Sequence, residues 1–233
     1  MQKIPSGIEG FDKIAKGGVP RKKITVVMGP PKSGKTTFSA QFLVGGILIS
    51  REPGVFVTID EPPEKIIKKM KELGWDILEY INKGLWEFID ASPHLEQNFE
   101  ISGNYDLGGL LIQIKMAIQK IKAKRIVLDS LSVLFNRFPD IGIIERDIFR
   151  LKSWLRPYSV TSIITNETNN EILEKLYCKI SNYAYDNVIK LKNPLNGEHR
   201  SIEIIKYQGN KYLKGKHLFT IENKRGIVII PND

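Results

Sequence analysis

The sequence predicts an α/β fold, in which a mostly parallel sheet is flanked by helices and followed by an antiparallel C-terminal extension. Short apolar runs alternate with helical periodicities from Ile24 to Ile164, and beyond Val188 only strand-like runs remain. Such alternation is typical of parallel sheets joined by right-handed crossovers. The 233 residues are 42% hydrophobic and 26% charged, as in a globular protein. No linker or repeat interrupts the pattern, so we predict a single domain over 1–233.

The alternating part contains five strand-like runs separated by helical segments. β-Branched and other apolar residues predict strands at Ile24–Met28, Val55–Ile59, Trp86–Ile89, Arg125–Leu128 and Thr161–Ile164. Apolar residues at helical spacing predict helices over Thr36–Leu48, Pro62–Leu73, Leu107–Ile121 and Ile144–Leu155. The extension is predicted to contain strands at Val188–Leu191, Ile202–Ile205, Leu218–Ile221 and Ile227–Ile230.

Composition limits where the protein works. The longest nearly apolar run, Phe42–Ile49, is far below the roughly 18 residues that a membrane span needs. The N-terminus lacks the apolar core of a secretory signal, and a single cysteine, Cys178, permits no internal disulfide. We therefore expect a cytoplasmic protein that does not use a membrane. The net charge of +9 leaves nucleic-acid binding open, because Lys and Arg release counterions from phosphates.

A phosphate-binding loop follows the first strand. Residues 29–36 match the pattern G-x-x-x-x-G-K-[ST], with a strand before the loop and a helix after it. Loop amides and the positive end of the helix converge where the triphosphate of ATP would lie. We predict phosphate contacts from Gly29, Pro30, Pro31, Lys32, Ser33, Gly34, Lys35, Thr36 and Thr37. Lys32 occupies a position where many such loops have glycine; it either points to solvent or tightens triphosphate binding.

A magnesium site is expected beside this loop. Asp129 ends the buried run Ile126–Leu128, and a carboxylate at the carboxyl end of a neighbouring parallel strand is positioned to hold Mg²⁺. The Thr36 hydroxyl is the second predicted ligand. The alternative for Asp129 is an ordinary cap or turn aspartate.

Two adjacent carboxylates end the second strand. Asp60 and Glu61 are predicted to share the chemistry with Lys35, one carboxylate deprotonating the attacking water and the other tuning it or meeting Mg²⁺. The alternative is acidic capping of the helix that follows. Thr165–Glu167 ends another strand, where its side chains either sense the γ-phosphate or merely begin a loop.

These motifs together resemble the KaiC-like branch of the RecA-type ATPases over almost the whole chain. The resemblance rests on the phosphate loop and on Gly7–Asp12, Gly17–Pro20, Phe56–Glu61, Arg125–Ser132, Asp186–Leu191, Arg200 and Gly226–Ile229. It implies a RecA-like P-loop NTPase core that binds ATP and Mg²⁺ at the subunit boundary of a homo-oligomeric ring or filament. It also implies that Asp60 is the general base and Glu61 its partner.

Three departures from the family pattern bear on activity. Asp60 is one methylene shorter than the usual glutamate, which predicts a poorly placed attacking water. Family members often place a lysine and an arginine, two apart, near the phosphates of the neighbouring subunit; here Lys206 is kept but Gln208 replaces the arginine. We therefore expect slow hydrolysis. The chain is also shorter than the tandem clock protein of the family, so circadian autokinase activity is not expected.

Two roles for an ATP cycle remain open. Basic residues favour an accessory role in DNA recombination or repair on single-stranded DNA: Lys115, Lys120, Lys122, Lys124 and Arg125, and Lys206, Lys211, Lys214, Lys216, Lys224 and Arg225, with Tyr207 and Tyr212 for base stacking. A solvated basic surface explains the same residues. The loop over 166–182, where RecA relatives bind DNA, carries Glu167, Glu171 and Glu174 and is not convincingly basic. The alternative is a signalling switch, in which ATP occupancy is sensed by a protein partner.

Overall fold

A computed structural model describes residues 2–92, 107–132, 141–168, 180, 184–194 and 199–231. Cys178, Glu171 and Glu174 lie outside these residues, so their predicted roles stay predictions. None of the described helices is long and apolar enough to cross a membrane.

A nine-stranded sheet forms the centre of the fold, in the order β11-β10-β9-β8-β3-β7-β6-β4-β5. Its strands are β3 (Ile24–Gly29), β4 (Gly54–Thr58), β5 (Trp86–Asp90), β6 (Arg125–Asp129), β7 (Thr161–Glu167), β8 (Asn187–Lys192), β9 (Arg200–Tyr207), β10 (Lys216–Glu222) and β11 (Gly226–Ile229). The six strands from β8 to β5 are parallel, and β9, β10 and β11 pair antiparallel. The mostly parallel sheet and its antiparallel extension are therefore confirmed.

Helices cover both faces of the parallel part of the sheet. They are α1 (Phe11–Ile14), α2 (Lys35–Ser50), α3 (Pro63–Glu72), α4 (Ile77–Asn82), α5 (Leu107–Ile121) and α6 (Ile141–Leu155). Side chains of β3 alternate between two hydrophobic clusters: Val26 packs with α5 and α6, and Val27 packs with α2 on the opposite face. The α/β layering predicted from the alternation of elements follows directly from this two-sided burial.

Several short elements among the described residues escaped the sequence prediction. Strands β1 (Lys3–Ile4) and β2 (Val19–Pro20) form a small separate sheet, and α1 and α4 are single short helices. Each is too short for a hydrophobic period to emerge. The N-terminal segment lies against α2: a Cβ at Gly7 would come 2.4 Å from the Cα of Gly45, so only glycine permits this approach.

The register of the parallel strands creates the polar edge on which the site is built. Gly29 at the end of β3 lies opposite Glu167 in β7, and Thr58 at the end of β4 lies opposite Asp129 in β6. Since parallel strands all end at the same edge, the phosphate loop and the strand-end carboxylates lie side by side there.

Candidate functional site

The turn between β3 and α2 has the backbone geometry of a tight phosphate loop. A Cβ on Gly29 would lie 2.6 Å from the carbonyl oxygen of Leu191 and 2.7 Å from Oγ of Ser33, so this position requires glycine. Gly34 has φ +102° and leads into α2, whose first residue is Lys35. Backbone amides at the start of a 16-residue helix thus open onto the edge of the sheet.

The C-terminal extension supports the outer part of this loop. The side-chain amide of Asn193 donates to the carbonyl oxygen of Pro31 (3.0 Å), and Nε of Arg200 donates to that of Lys32 (3.4 Å). Lys32 itself is exposed and adopts φ +62°, the left-handed conformation that explains why glycine is common there. Its side chain lines the cavity described below, so solvent and ligand share access to it.

Lys35 is buried and bound to its own loop. Its Nζ donates to the carbonyl oxygens of Gly29 (2.9 Å) and Pro30 (2.8 Å) and lies 3.4 Å from Oε2 of Glu167. Burial lowers the pKa of Lys35, while the negative charges of Glu167 and Asp129 act in the opposite direction. The ammonium group of Lys35 is thus held by two carbonyl oxygens and one carboxylate. An anionic ligand can replace these acceptors.

Asp129 and Thr36 bring a carboxylate and a hydroxyl together at the end of β6. The hydroxyl of Thr165 donates to Oδ1 of Asp129, and Thr36 also hydrogen-bonds that carboxylate. Burial raises the pKa of Asp129, and the two hydroxyl donors partly offset the effect. A buried carboxylate with a raised pKa gains from a nearby cation.

This donor set fits magnesium. Mg²⁺ is usually bound through one or two protein oxygens, with waters and substrate phosphates completing its shell. Among the described residues there is no cluster of three or more His, Cys, Asp or Glu side chains that would form an all-protein metal site. Asp129 and Thr36 therefore match a metal that arrives with a nucleotide.

Asp60 and Glu61 have different surroundings although they are adjacent. The pKa of Asp60 is raised, first by partial loss of hydration and then by repulsion from Glu61 and Glu167. Glu61 receives two bonds from Nζ of Lys69 in α3, of 2.8 Å and 2.6 Å to its two carboxylate oxygens. Within the described part of the chain, Asp60 has no such ion pair.

A cavity of about 570 Å³ joins these groups, within the size range of small-ligand sites. Six of the nine predicted phosphate-binding residues line it: Pro31, Lys32, Gly34, Lys35, Thr36 and Thr37. Asp60, Glu61 and Asp129 line it as well. Gly29, Pro30 and Ser33 do not line it; the first two supply the carbonyl groups that hold Lys35 and the third is buried in the loop.

Sequence reasoning missed two kinds of residue at this cavity. Lys69 lies eight residues after Glu61 across a Pro-Pro break, so no helical spacing links the two. Ile221 and Asn223 reach the cavity from β10 and the turn after it, far along the chain from the phosphate loop. Glu167 had been noticed at a strand end, but its contact with Lys35 depends on the β3–β7 register.

Lys206 does not belong to the cavity of its own chain. It lies opposite Val188 in β8, which lies opposite Val26 in β3, so Lys206 is three residues, or roughly 10 Å, short of Gly29 along the strands. Its Nζ donates to the carbonyl oxygen of Tyr185 (2.8 Å). Lys206 therefore lies away from the phosphate loop of its own chain.

Two residues of the predicted nucleic-acid surface are inaccessible, which corrects that part of the prediction. Arg125 is fully buried and pairs with Glu52 at 2.8 Å. Tyr207 is 4% exposed, and its hydroxyl donates to the carbonyl oxygen of Gly18, so its ring is not free to stack on a base. Lys120 is exposed but paired with Glu87 at 2.8 Å.

Known proteins match this chain over nearly its full length. A family model described as "ATPase: KaiC" matches residues 4–233. The circadian clock protein KaiC3 of Synechocystis is 45% identical over 233 residues, which cover 99% of this chain and 46% of that protein. The circadian clock oscillator protein KaiC of Nostoc is 42% identical (99% and 44%), and that of Parathermosynechococcus lividus 41% (99% and 43%). The chain thus spans about half the length of these relatives.

Proposed function

Because this chain belongs to the KaiC family of ATPases, we propose that its cavity binds ATP with Mg²⁺ and hydrolyses the ATP slowly. The observation that carries the proposal is the convergence of Lys35, Thr36 and Asp129 on one cavity beside a helix N-terminus. A site for phosphate without a metal would already account for the N-terminus of α2 and for Lys35. The buried carboxylate with its raised pKa is explained better by a nucleotide that brings a divalent cation.

Phosphate binding is proposed to exchange the internal partners of Lys35. Its ammonium group leaves the carbonyl oxygens of Gly29 and Pro30 for the terminal phosphates, and the loop amides contact the remaining phosphate oxygens. Thr36 and Asp129 would hold Mg²⁺, which when bound neutralises charge on the phosphates. Beyond the phosphates the cavity continues between α3 and the β10–β11 turn, where Met70, Ile221 and Asn223 offer a mostly apolar wall to a base.

Asp60 is proposed to be the general base. A raised pKa makes a carboxylate a stronger base, and Asp60 is the member of the pair that has no ion pair in the described structure. Its short side chain and the glutamine at position 208 both predict slow chemistry, because a cationic finger is worth on the order of 10³ in rate. We expect turnover below about 1 s⁻¹ for the isolated protein.

Calorimetric titration with ATP, with and without Mg²⁺, tests this site. We expect wild-type protein to bind and Lys35→Ala to lose at least about 100-fold in affinity, because the charge of Lys35 contacts two phosphates. Lys83→Ala, which removes an exposed lysine paired with Glu79 on α4, is the matched control and should bind normally. Wild-type protein that ignores ATP, or unchanged binding by Lys35→Ala, would contradict the proposal.

The biological role is proposed to be an ATP-dependent signalling switch that assembles with copies of itself and with a protein partner. The three relatives above are all circadian clock proteins. A long-lived ATP state, which slow hydrolysis provides, suits such a switch. The DNA role predicted from the basic residues is not carried forward, because Arg125 and Tyr207 are buried.

Light scattering after size exclusion tests the assembly. We expect a larger particle with ATP and Mg²⁺ than without them, and unchanged mass in both conditions would contradict a nucleotide-dependent oligomer. Titration with single-stranded DNA at about 50 mM and 200 mM salt separates the two roles. Affinity that falls steeply with salt would revive the DNA interpretation; we expect none.

A further inference from the structure

Helix α3 places one lysine in the wall of the cavity. Ile66 and Met70 are buried and anchor the helix, and Lys69, one position before Met70, lines the cavity together with them. Nζ of Lys69 lies 2.8 Å and 2.6 Å from the two carboxylate oxygens of Glu61. The two side chains are 50% and 34% exposed, so the pair borders the space in which the nucleotide is proposed to bind.

Glu61 is held from both its main chain and its side chain. The hydroxyl of Thr58, at the end of β4, donates to the carbonyl oxygen of Glu61, and Lys69 binds both carboxylate oxygens. Asp60, one residue earlier, keeps its carboxylate exposed. Of the two adjacent carboxylates, Glu61 is thus held in an ion pair, and Asp60 has no ion pair within the described residues.

The cavity lining has more carboxylates than lysines, so each lysine matters for binding an anionic ligand. Five carboxylates line it, from Asp60, Glu61, Glu72, Asp129 and Glu167, against three lysines, Lys32, Lys35 and Lys69. If all are ionised, the lining carries two net negative charges, although the proposed ligand is itself an anion. Removing Lys69 would raise this to three net negative charges. The carboxylate of Glu61 would then have no ion-pair partner beside the phosphates.

We propose that Lys69 is a positioning residue of the ATP site, which fixes Glu61 against the cavity wall, cancels its charge and leaves Asp60 alone to act on water. The inference rests on the proposed ATP site and adds a cation that comes from the same chain. In this arrangement Glu61 does not contact the attacking water. Its effect on catalysis depends on its ion pair with Lys69.

The pair is not required for folding. Ion pairs this exposed contribute at most about one factor of five in the folding equilibrium. The helix keeps its buried residues whatever stands at position 69. Loss of binding in a Lys69 variant can therefore be separated from loss of structure by circular dichroism.

A charge cycle tests the proposal. The probe is a non-hydrolysable ATP analogue with Mg²⁺, titrated into wild type, K69M, K69R, E61Q and the double variant K69M/E61Q. The matched control is K68M, which removes the adjacent exposed lysine that does not line the cavity. Steady-state kcat and KM for ATP are measured in the same proteins at two salt concentrations.

We expect K69M to weaken binding of the analogue roughly fivefold to tenfold, since an unpaired carboxylate then faces the phosphates. K69R should bind like wild type, because it keeps the charge, and K69M/E61Q should recover affinity. The defect of K69M should shrink at about 0.5 M salt, where charges are screened within a few ångström. K69M should also lower kcat, and K69R should retain it; K68M should match wild type in every measurement.

Three results would overturn the inference: unchanged binding and kcat in K69M, equal weakness of K69M and K69M/E61Q, or equal losses in K69M and K68M. Wild-type protein that fails to bind the analogue would instead refute the proposed ATP site itself. The two failures are therefore distinguishable.

Discussion

The two ends of the parallel strands carry charged residues with opposite arrangements. At the amino ends, the buried charged residues Arg125, Glu52 and Asp186 each have a close partner of opposite sign. Arg125, the first residue of β6, lies 2.8 Å from Glu52, which also binds Arg21 at 3.0 Å. Asp186, just before β8, pairs with Lys152 at 2.8 Å. These ion pairs bridge neighbouring elements.

The carboxyl ends are different because negative charges gather there beyond what the local lysines offset. Asp60 repels Glu61 and Glu167, and burial raises the pKa of Asp129. Lys35 is the one buried lysine at this edge among the described residues. Paired charges at the amino ends thus stabilise the fold, whereas the surplus of carboxylates at the carboxyl ends is suited to holding a divalent cation.

The largest expected effect is at the amino ends. Arg125→Met should cost about 3 kcal/mol of unfolding free energy, because Glu52 then keeps only Arg21 as an ion-pair partner and the buried carbonyl oxygen of Phe42 loses its donor. Urea unfolding measures this loss, and the folded fraction should still bind ATP. A cost below about 1 kcal/mol would show that this network does not support the fold as the comparison requires.

The corresponding change at the carboxyl ends should affect activity and spare stability. Asp129→Asn should lower Mg²⁺-dependent hydrolysis about 100-fold, because the metal loses a charged ligand. Its unfolding free energy should equal or exceed that of wild type, since the buried charge of Asp129 is unfavourable without a cation. Destabilisation as large as that of Arg125→Met would break the contrast between the two ends.

A smaller effect, a gain in affinity for ATP, is expected from a substitution at Glu167. This carboxylate lies 3.4 Å from Nζ of Lys35 and competes with phosphate for it. Glu167→Gln should therefore tighten ATP binding about threefold to tenfold. Glu72→Gln removes an exposed carboxylate of the same cavity and is the control. Weaker binding in Glu167→Gln would mean that Glu167 assists phosphate binding.

The smallest effect is a pH dependence. The folded-state pKa of Asp60 is raised above its ordinary value of 3.8, so the folded protein holds this proton more tightly than the unfolded chain. Stability from protonated Asp60 is present below pH 3.8 and is lost as the pH rises through the folded pKa. Asp60→Asn should gain stability relative to wild type over that interval, measured by urea unfolding. A difference in unfolding free energy between Asp60→Asn and wild type that does not change with pH would contradict this environment for Asp60.

Local patterns predicted most of the architecture. The runs at Ile24–Met28 and Arg125–Leu128 appeared as β3 and β6 within one residue, because buried parallel strands leave continuous apolar segments. Helix α3, predicted over Pro62–Leu73, spans Pro63–Glu72 and ends close to Gly74, whose φ of +80° supplies a left-handed turn. The small sheet of β1 and β2 was missed, since two-residue strands carry no period.

The sequence alone determined the phosphate loop, the strands around it and the carboxylates at their ends, because each is encoded in a few consecutive residues with a characteristic period or spacing. Only the tertiary structure decided which charge meets which. Lys69 reaches Glu61, Glu167 reaches Lys35 and Arg125 withdraws to Glu52 through strand register and helix docking. Those contacts join residues that are eight to 132 positions apart in the sequence. No local sequence pattern specifies which residues meet across such separations.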